Sequence, residues 1–232
     1  TISSDGGGII GYDSFKSMTG GTVTINECYS TGSINNFGGG INAARMCWLA
    51  SGGTINITNC YSTGFIEGNS AGGICGRTFG QGGVDQANII MNINKCYSTG
   101  DIGYNSSNVN QGGIVGSIIG LGSQNLTVNI DECYSTGSIG TGAGGILGNR
   151  TGVSSDSITV NVNNCYSLGQ ISTNAGGIYG YQTGFGATNI TTINATNCYT
   201  VGTITSSNTG IYGLSNNGGT TTNCISEEDN TW

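Results

Sequence analysis

The string Cys-Tyr-Ser-Thr-Gly occurs four times, at Cys28, Cys60, Cys96 and Cys133. Degraded copies follow at Cys165 (Cys-Tyr-Ser-Leu-Gly), Cys198 (Cys-Tyr-Thr-Val-Gly) and Cys224 (Cys-Ile-Ser). These cysteines are 32, 36, 37, 32, 33 and 26 residues apart. A second string, Gly-Gly-Ile or its relative, places Ile at positions 9, 41, 74, 114, 146, 178 and 211, with spacings of 32, 33, 40, 32, 32 and 33. Two independent columns with one period mean about seven copies of one structural unit, the signature of a solenoid.

Each unit holds three short extended pieces. The first is Gly-Gly-Ile-x-Gly, as at Gly144 to Gly148. After a loop of about ten residues comes the second, such as Ile158 to Val162. There apolar residues alternate with Thr and Asn, the period of a strand with one buried face. The third is Cys-x-Ser-x-Gly-x-Ile, as at Cys133 to Ile139. Just before each Cys sits a corner residue: Glu27, Asn59, Lys95, Glu132, Asn164 or Asn197. Asn tolerates the left-handed conformation of a sharp corner, which Lys and Glu adopt only at a cost. Three strands and three corners per unit describe one turn of a parallel β-helix. With 45 Gly and no 3.6-residue period, helical repeats are excluded.

Counting from each Cys gives the expected core. Three positions before it lie Ile25, Ile57, Ile93, Ile130, Val162 and Ala195. Five before it lie Val23, Ile55, Met91, Val128, Val160 and Ile193, and six after it Ile34, Ile66, Ile102, Ile139, Ile171 and Ile204. Stacked about 4.8 Å apart, these columns become continuous ladders inside the coil. The expected fold is therefore all-β, a right-handed parallel β-helix (solenoid) with three short strands per rung and about seven rungs. Residues 1–232 form one domain, and right-handedness follows from the crossover rule.

The Cys-Tyr-Ser-Thr-Gly-x-Ile string followed by Gly-Gly-Ile-x-Gly resembles the GLUG-type repeats of bacterial surface adhesins. The cysteine-bearing version is similar to repeat proteins of large DNA viruses and some protists. The resemblance spans nearly the whole chain. It implies a β-helix and surface, fibre or attachment roles, and it brings no catalytic residues.

Composition narrows the function. There are 12 acidic and 5 basic residues, a net charge of -7 and no His. A basic footprint for nucleic acid is absent, and His-based catalysis and His-ligated metals are excluded. No apolar run reaches the 18 residues that span a bilayer; Ile114 to Leu121 comes nearest, broken by glycines. Glycosidase chemistry needs two carboxylates roughly 5–10 Å apart, and no two acids stack on adjacent rungs of one column. Asp131 and Glu132 straddle a corner, and Lys95 with Glu132 reads as a surface pair. The chain is not expected to be an enzyme, and no cofactor or metal is expected.

Four features carry alternatives. The cysteine column (Cys28, Cys60, Cys96, Cys133, Cys165, Cys198, Cys224) reads as reduced core thiols or as vertical disulfides such as Cys28–Cys60 or Cys96–Cys133. Cys47 and Cys75 fall outside it. The tyrosine column (Tyr29, Tyr61, Tyr97, Tyr134, Tyr166, Tyr199) has the opposite parity and reads as a stacked exposed ladder, a lateral contact or a sugar platform. A Thr/Asn array (Thr24, Asn56, Asn92, Asn129, Asn161, Asn194, flanked by Thr22, Thr54, Thr127, Thr159 and Thr192) reads as stabilising Asn ladders or as an ice-binding face, though Ile90 interrupts it. Of six Asn-x-Ser/Thr sequons, Asn105, Asn125 and Asn149 fall in loops and are the candidates for N-glycosylation.

The ends suggest assembly. Thr1 to Ile9 matches Thr203 to Ile211, and the last unit stops just after Cys224-Ile225-Ser226, so both ends are cut mid-rung. No leader and no initiator Met is present, which reads as a processed product or a segment of a longer polypeptide. The half-rungs of successive copies would complete one another. The expected function is a structural subunit of an extracellular, virion-surface or cell-surface filament, stacked head to tail. The expected joint comprises Thr1, Ile2, Gly7, Ile9, Cys224, Ile225 and Trp232, and the expected partner is the chain itself, without nucleic acid or membrane insertion. The alternatives are a glycan-binding adhesin module and, behind it, an ice-binding protein.

Overall fold

A computed structural model describes residues 1–80, 88–103, 110–154, 157–186, 192–205, 210–214 and 219–227. Two parallel sheets of seven strands make up the molecule, and no described residue lies in a helix. The first sheet runs, in order, through β1 (Thr19–Asn26), β3 (Gly52–Thr58), β5 (Ile89–Asn94), β7 (Leu126–Asp131), β9 (Thr159–Asn163), β11 (Thr192–Thr196) and β13 (Gly219–Thr222). The second runs through β2 (Tyr29–Ser30), β4 (Tyr61–Ser62), β6 (Tyr97–Ser98), β8 (Tyr134–Ser135), β10 (Tyr166–Ser167), β12 (Tyr199–Val201) and β14 (Ile225–Glu227). Five strands of each sheet are paired on both edges, so the fold is a parallel β-solenoid of about five enclosed turns with an outer strand at either side.

Between the sheets the chain turns at the residue before each Cys. Glu27, Asn59, Lys95, Glu132, Asn164, Asn197 and Asn223 all have φ between 51° and 55°. For Glu27, Lys95 and Glu132 this left-handed conformation costs about 1–2 kcal/mol each, which turn-to-turn hydrogen bonds such as Glu27 N–H to Thr58 O (3.1 Å) help offset.

The Gly-Gly-Ile piece differs from the expected third strand. It forms columns of single parallel bridges, among them Gly39–Gly72–Gly112–Gly144–Gly176 and Asn42–Cys75–Val115–Leu147–Tyr179–Tyr212. Close packing explains the glycines. A Cβ on Gly145 would lie 2.1 Å from the Gly177 carbonyl oxygen and 2.8 Å from the Ser167 Cβ; one on Gly73 would lie 2.0 Å from the Gly113 carbonyl oxygen. The second Gly column thus lies directly against the Ser column of the second sheet.

The expected core columns are buried except at their outer members Val23 and Ile204, which are half-buried. Ile57, Ile93, Ile130 and Val162 join Ile55, Met91, Val128 and Val160 in the main core, while Ile34, Ile66, Ile102, Ile139 and Ile171 form a second, smaller cluster. Toward β13 the column three before the cysteines shrinks to Ala195 and then Thr221. There the bridge column grows from Val115 and Leu147 to Tyr179 and Tyr212, which stack 4.8 Å apart. Their hydroxyls donate to the carbonyls of Asn194 (2.8 Å) and Thr220 (3.0 Å). Volume lost in one column is returned by its neighbour, the condition for a filled core.

Inward-facing Ser30, Ser62, Ser98, Ser135 and Ser167 have hydroxyls without a hydrogen-bond partner. A desolvated hydroxyl is destabilising, whereas a larger group facing the glycine column meets backbone. Ser135→Ala is therefore expected to be neutral or to stabilise by up to about 1 kcal/mol. Gly145→Ala should destabilise by about 3 kcal/mol or more, because the added methyl meets a carbonyl rather than a yielding side chain. Thermal unfolding followed by circular dichroism reads both.

Candidate functional site

Repetition turns each outward column into a ladder, and these ladders and the open edges are what the molecule presents. Successive rings of Tyr29, Tyr61, Tyr97, Tyr134, Tyr166 and Tyr199 have centroids 4.8–5.2 Å apart and planes within 8° of parallel. Each inner ring has both faces against another ring. Edges and hydroxyls reach solvent, while ring faces, which stack on sugars, are occupied along the run. Tyr29, 58% exposed on its outer strand, keeps one face without a described tyrosine partner. Burial and the neighbouring phenols push the hydroxyls of Tyr134 and Tyr166 above their ordinary pKa.

The Thr/Asn array of the first sheet is a hydrogen-bonded amide ladder. Asn92 Nδ2 donates to Asn56 Oδ1 (2.9 Å), Asn129 to Asn92 (3.0 Å), Asn161 to Asn129 (3.0 Å) and Asn194 to Asn161 (3.1 Å). Thr220 Oγ1 extends it with a bond to Asn194 Oδ1 (2.6 Å). A second ladder follows the corner: Asn59 donates to Asn26, Asn197 to Asn164 and Asn223 to Asn197. Both carboxylate oxygens of Asp131 are taken by amides, from Asn94 (3.3 Å) and Asn164 (2.8 Å). Lys95 and Glu132 form the surface pair at 3.9 Å.

All nine cysteines are free thiols. The inner members of the column are buried, while Cys28 and Cys224 are half-buried on the outer turns. Cys75, unassigned from the sequence, sits in the bridge column beside the thiols of Cys96, Cys60 and Cys133; Cys47 lies in the same core. Burial pushes the Cys47 thiol up to about 12. The hydrogen bond with Cys133, with burial behind it, does the same for Cys96. These groups are inert core thiols.

The loop sites separate. Asn125 is exposed, with φ of 54°. Asn149 is 3% exposed, so its expected glycosylation is corrected: its side-chain amide donates to Asn110 Oδ1 inside a third, interior amide ladder in which Asn110 donates to Asn69 (2.9 Å). Periodicity hid this, because the loop that carries Asn149 folds back over the Gly-Gly-Ile side. Asn105 lies outside the described residues, as does Trp232. Also unread in the sequence is a cluster on the first turns, where the Arg45 guanidinium carbon lies 3.5 Å from the Trp48 ring centroid and Lys16 Nζ 4.2 Å from it. Asp13 pairs with both cations, so the cluster is internally neutralised in part.

The outer edges complete the inventory. β1 and β2 at one end, and β13 and β14 at the other, have no described strand on their far side. Ile9 (52%), Tyr29 (58%) and Ile225 (56%) are exposed there, and Thr1, Ile2 and Gly7 lie on the same outer turn, Ile2 and Gly7 bridging Ile34 and Gly39. The sequence-expected joint residues Thr1, Ile2, Gly7 and Ile9 thus share one end, and Cys224 and Ile225 share the other. Comparison with known proteins finds no matching family model, no matching curated protein and no matching solved structure.

Two expectations follow. Expressed through a glycosylating secretory route, the chain should carry glycan at Asn125 and none at Asn149, read by mass spectrometry of peptides before and after deglycosylation. The raised thiols also set a pH dependence. In the unfolded chain a Cys titrates near 8.5, whereas Cys47 and Cys96 hold their protons to about 12. The folded state then binds more protons than the unfolded one between those values. Their contribution is intact below about pH 8.5 and is lost as pH rises toward 12. The midpoint of thermal unfolding should be flat from pH 7 to 8 and fall steadily above pH 9.

Proposed function

We propose that this chain is a structural subunit of an extracellular or virion-surface filament, in which copies stack head to tail and one β-helix runs through the joints. In this reading the helix is right-handed, as parallel crossovers are. It is three-sided, with the Gly-Gly-Ile bridges as the third side, and about seven turns long. The resemblance of its repeats to GLUG-type surface repeats agrees with a role in fibre or attachment.

One observation carries the reading: both sheets, the isoleucine bridge column and the thiol column each have a described member at both uncovered edges. β14 ends the second sheet at one edge, and the bridge column that follows it in the coil resumes with Ile2 at the other. A second copy placed one turn beyond β13 and β14 would continue the tyrosine-edge column from Ile225 to Tyr29, the bridge column from Ile204 to Ile2, and the thiol column from Cys224 to Cys28. Unpaired parallel edges of this kind template the addition of strands, and a heterologous contact that does not close propagates as a fibre. Among the described residues no helix, Pro or Lys-rich strand covers either edge.

The adhesin reading is weaker on the same geometry, because the tyrosine faces that would meet a sugar are occupied by one another. Negative-stain electron microscopy of the purified chain, without added ligand, should show long fibres with a rise per copy of about 34 Å, seven strand spacings. Short isolated rods that bind a glycan array would replace the filament reading with the adhesin one. The intact mass of native material decides which chain supplies the next turn. A mass near 23.4 kDa makes it a second copy, and a much larger one makes it the same polypeptide.

A further inference from the structure

We propose that the cysteine column is a binding site for soft monovalent metal ions of the Cu(I) and Ag(I) class, each held in line between the sulfurs of two successive turns. The proposal is independent of how the chain assembles.

The backbone sets the spacing. Each column cysteine belongs to the parallel ladder, its carbonyl accepting from the residue after the next turn's cysteine. Tyr61 N–H donates to Cys28 O and Ile225 N–H to Cys198 O, both at 3.0 Å. Tyr97, Tyr134, Tyr166 and Tyr199 donate likewise to Cys60, Cys96, Cys133 and Cys165, each at 3.1 Å. The side chains share one orientation as well. From Cys60 to Cys224 each Sγ lies near two carbonyls, one two residues back on its own turn and one on the preceding turn. Cys96, for example, has Asn94 O at 3.3 Å and Ile57 O at 3.6 Å. Equal backbone and equal side-chain placement put successive sulfurs one strand spacing apart, about 4.8 Å.

That distance selects the chemistry. It is far too wide for a disulfide, whose sulfurs bond at about 2.05 Å. A thiolate–metal bond is about 2.3 Å long, so an ion midway between two sulfurs spans about 4.6 Å. Among the described residues no three thiols or carboxylates converge on one point, whereas a structural Zn(II) takes four ligands. Two sulfurs in line suit a soft ion that accepts two-coordination, and thiolates select soft ions.

Charge makes the same selection. Cys60, Cys96, Cys133, Cys165 and Cys198 are 0–1% exposed, so unbalanced charge among them is destabilising. When a monovalent ion fills every gap, each inner sulfur serves two ions, and the whole chain of thiolates and metals keeps a single negative charge. Divalent ions in the same gaps would bury a large positive one. Each thiol gives its proton to the buffer as its first metal–sulfur bond forms, and no electron is transferred. Burial holds the Cys133 and Cys165 protons on sulfur, which rejects every ion whose bond to sulfur is too weak to displace them.

The test gives silver nitrate to the reduced chain in chloride-free glutathione buffer, where glutathione outcompetes an isolated protein thiol. Silver is added to the folded chain and, in parallel, during refolding from urea, which removes the barrier of entering a closed core. The seven strands of the second sheet leave six gaps, so native mass spectrometry should saturate at six ions per chain. X-ray absorption should show two sulfur neighbours per silver, with circular dichroism unchanged and the thermal midpoint raised. Cys133→Ala removes a sulfur shared by two gaps and should lower the count to four, whereas Cys47→Ala, outside the column, should leave six. If Cys133→Ala fails to fold, Cys165→Ala carries the same expected loss of two. Nine ions, one per cysteine, or a loss of one ion from each variant shows capture by single thiols and overturns the ladder. No silver retained by either route, or silver retained only with loss of the strand signal, overturns it as well.

Discussion

In-register parallel stacking of one turn on the next is the constraint from which the rest of this structure follows. A parallel ladder sets equivalent residues of successive turns at one strand spacing, so a residue type that tolerates its own image directly above and below can fill a whole column. Tyr does so by ring stacking, Asn by passing an amide hydrogen bond along the axis, and Ile by interlocking branched side chains. Gly does so where two backbones meet. Cys60 to Cys224 hold their column because a small apolar thiol fits the core and finds carbonyls on two turns. Stability here is a sum of self-complementary columns, each repeating a modest term.

Register is defended while length is not. Cys60 and Cys96 are 36 residues apart, and Cys133 and Cys165 are 32 apart. Yet Ile57 pairs with Ile93, Ile93 with Ile130, and Ile130 with Val162. The extra residues fall outside the paired columns, after the Gly-Gly-Ile piece between Cys60 and Cys96 and before it between Cys96 and Cys133, so insertion leaves the core untouched. Where a column does change type, a facing column responds, as Tyr179 and Tyr212 do opposite Ala195 and Thr221. What the scheme does not repair is the Ser column, whose hydroxyls are buried against glycine without partners.

Much of this was legible in the sequence because a solenoid writes its contacts as a period. The core columns three and five before each Cys, the Ile column six after it, the left-handed corners and the tyrosine stack all follow from counting. Three things do not. The Gly-Gly-Ile piece forms isolated bridges because its glycines press against Ser side chains and carbonyls, which leaves no continuous strand. Asn149, Met46, Cys47 and Phe79 are buried by loops that fold back over that side, and aperiodic loops carry no column signal. Tyr179 breaks the rule that alternate residues point to solvent, because both faces of its segment are covered: Ile178 and Tyr179 are each 0% exposed. The stacking of the tyrosines was readable from their column, whereas the consequence that their faces are unavailable needs the 4.8 Å centroid spacing.

The ladders also give the rod a direction. Along the amide columns Asn92 donates to Asn56, Asn197 to Asn164 and Asn110 to Asn69, each toward the preceding turn, while Asn94, donating to Asp131, runs the other way. A turn added beyond β13 and β14 therefore meets amide and hydroxyl oxygens of Asn223 and Thr220 with acceptor capacity left. A turn added before β1 meets Thr24 and Asn26, whose side-chain amide donates to Glu27 Oε1 (3.0 Å). The two edges are chemically unlike although their columns match. Head-to-head contact of two β13 and β14 edges would set the Asn223 and Thr220 oxygens against their own copies, while head-to-tail contact sets them against a different edge. Direction in the side chains thus favours the one contact geometry that cannot close on itself, which is the geometry of a filament.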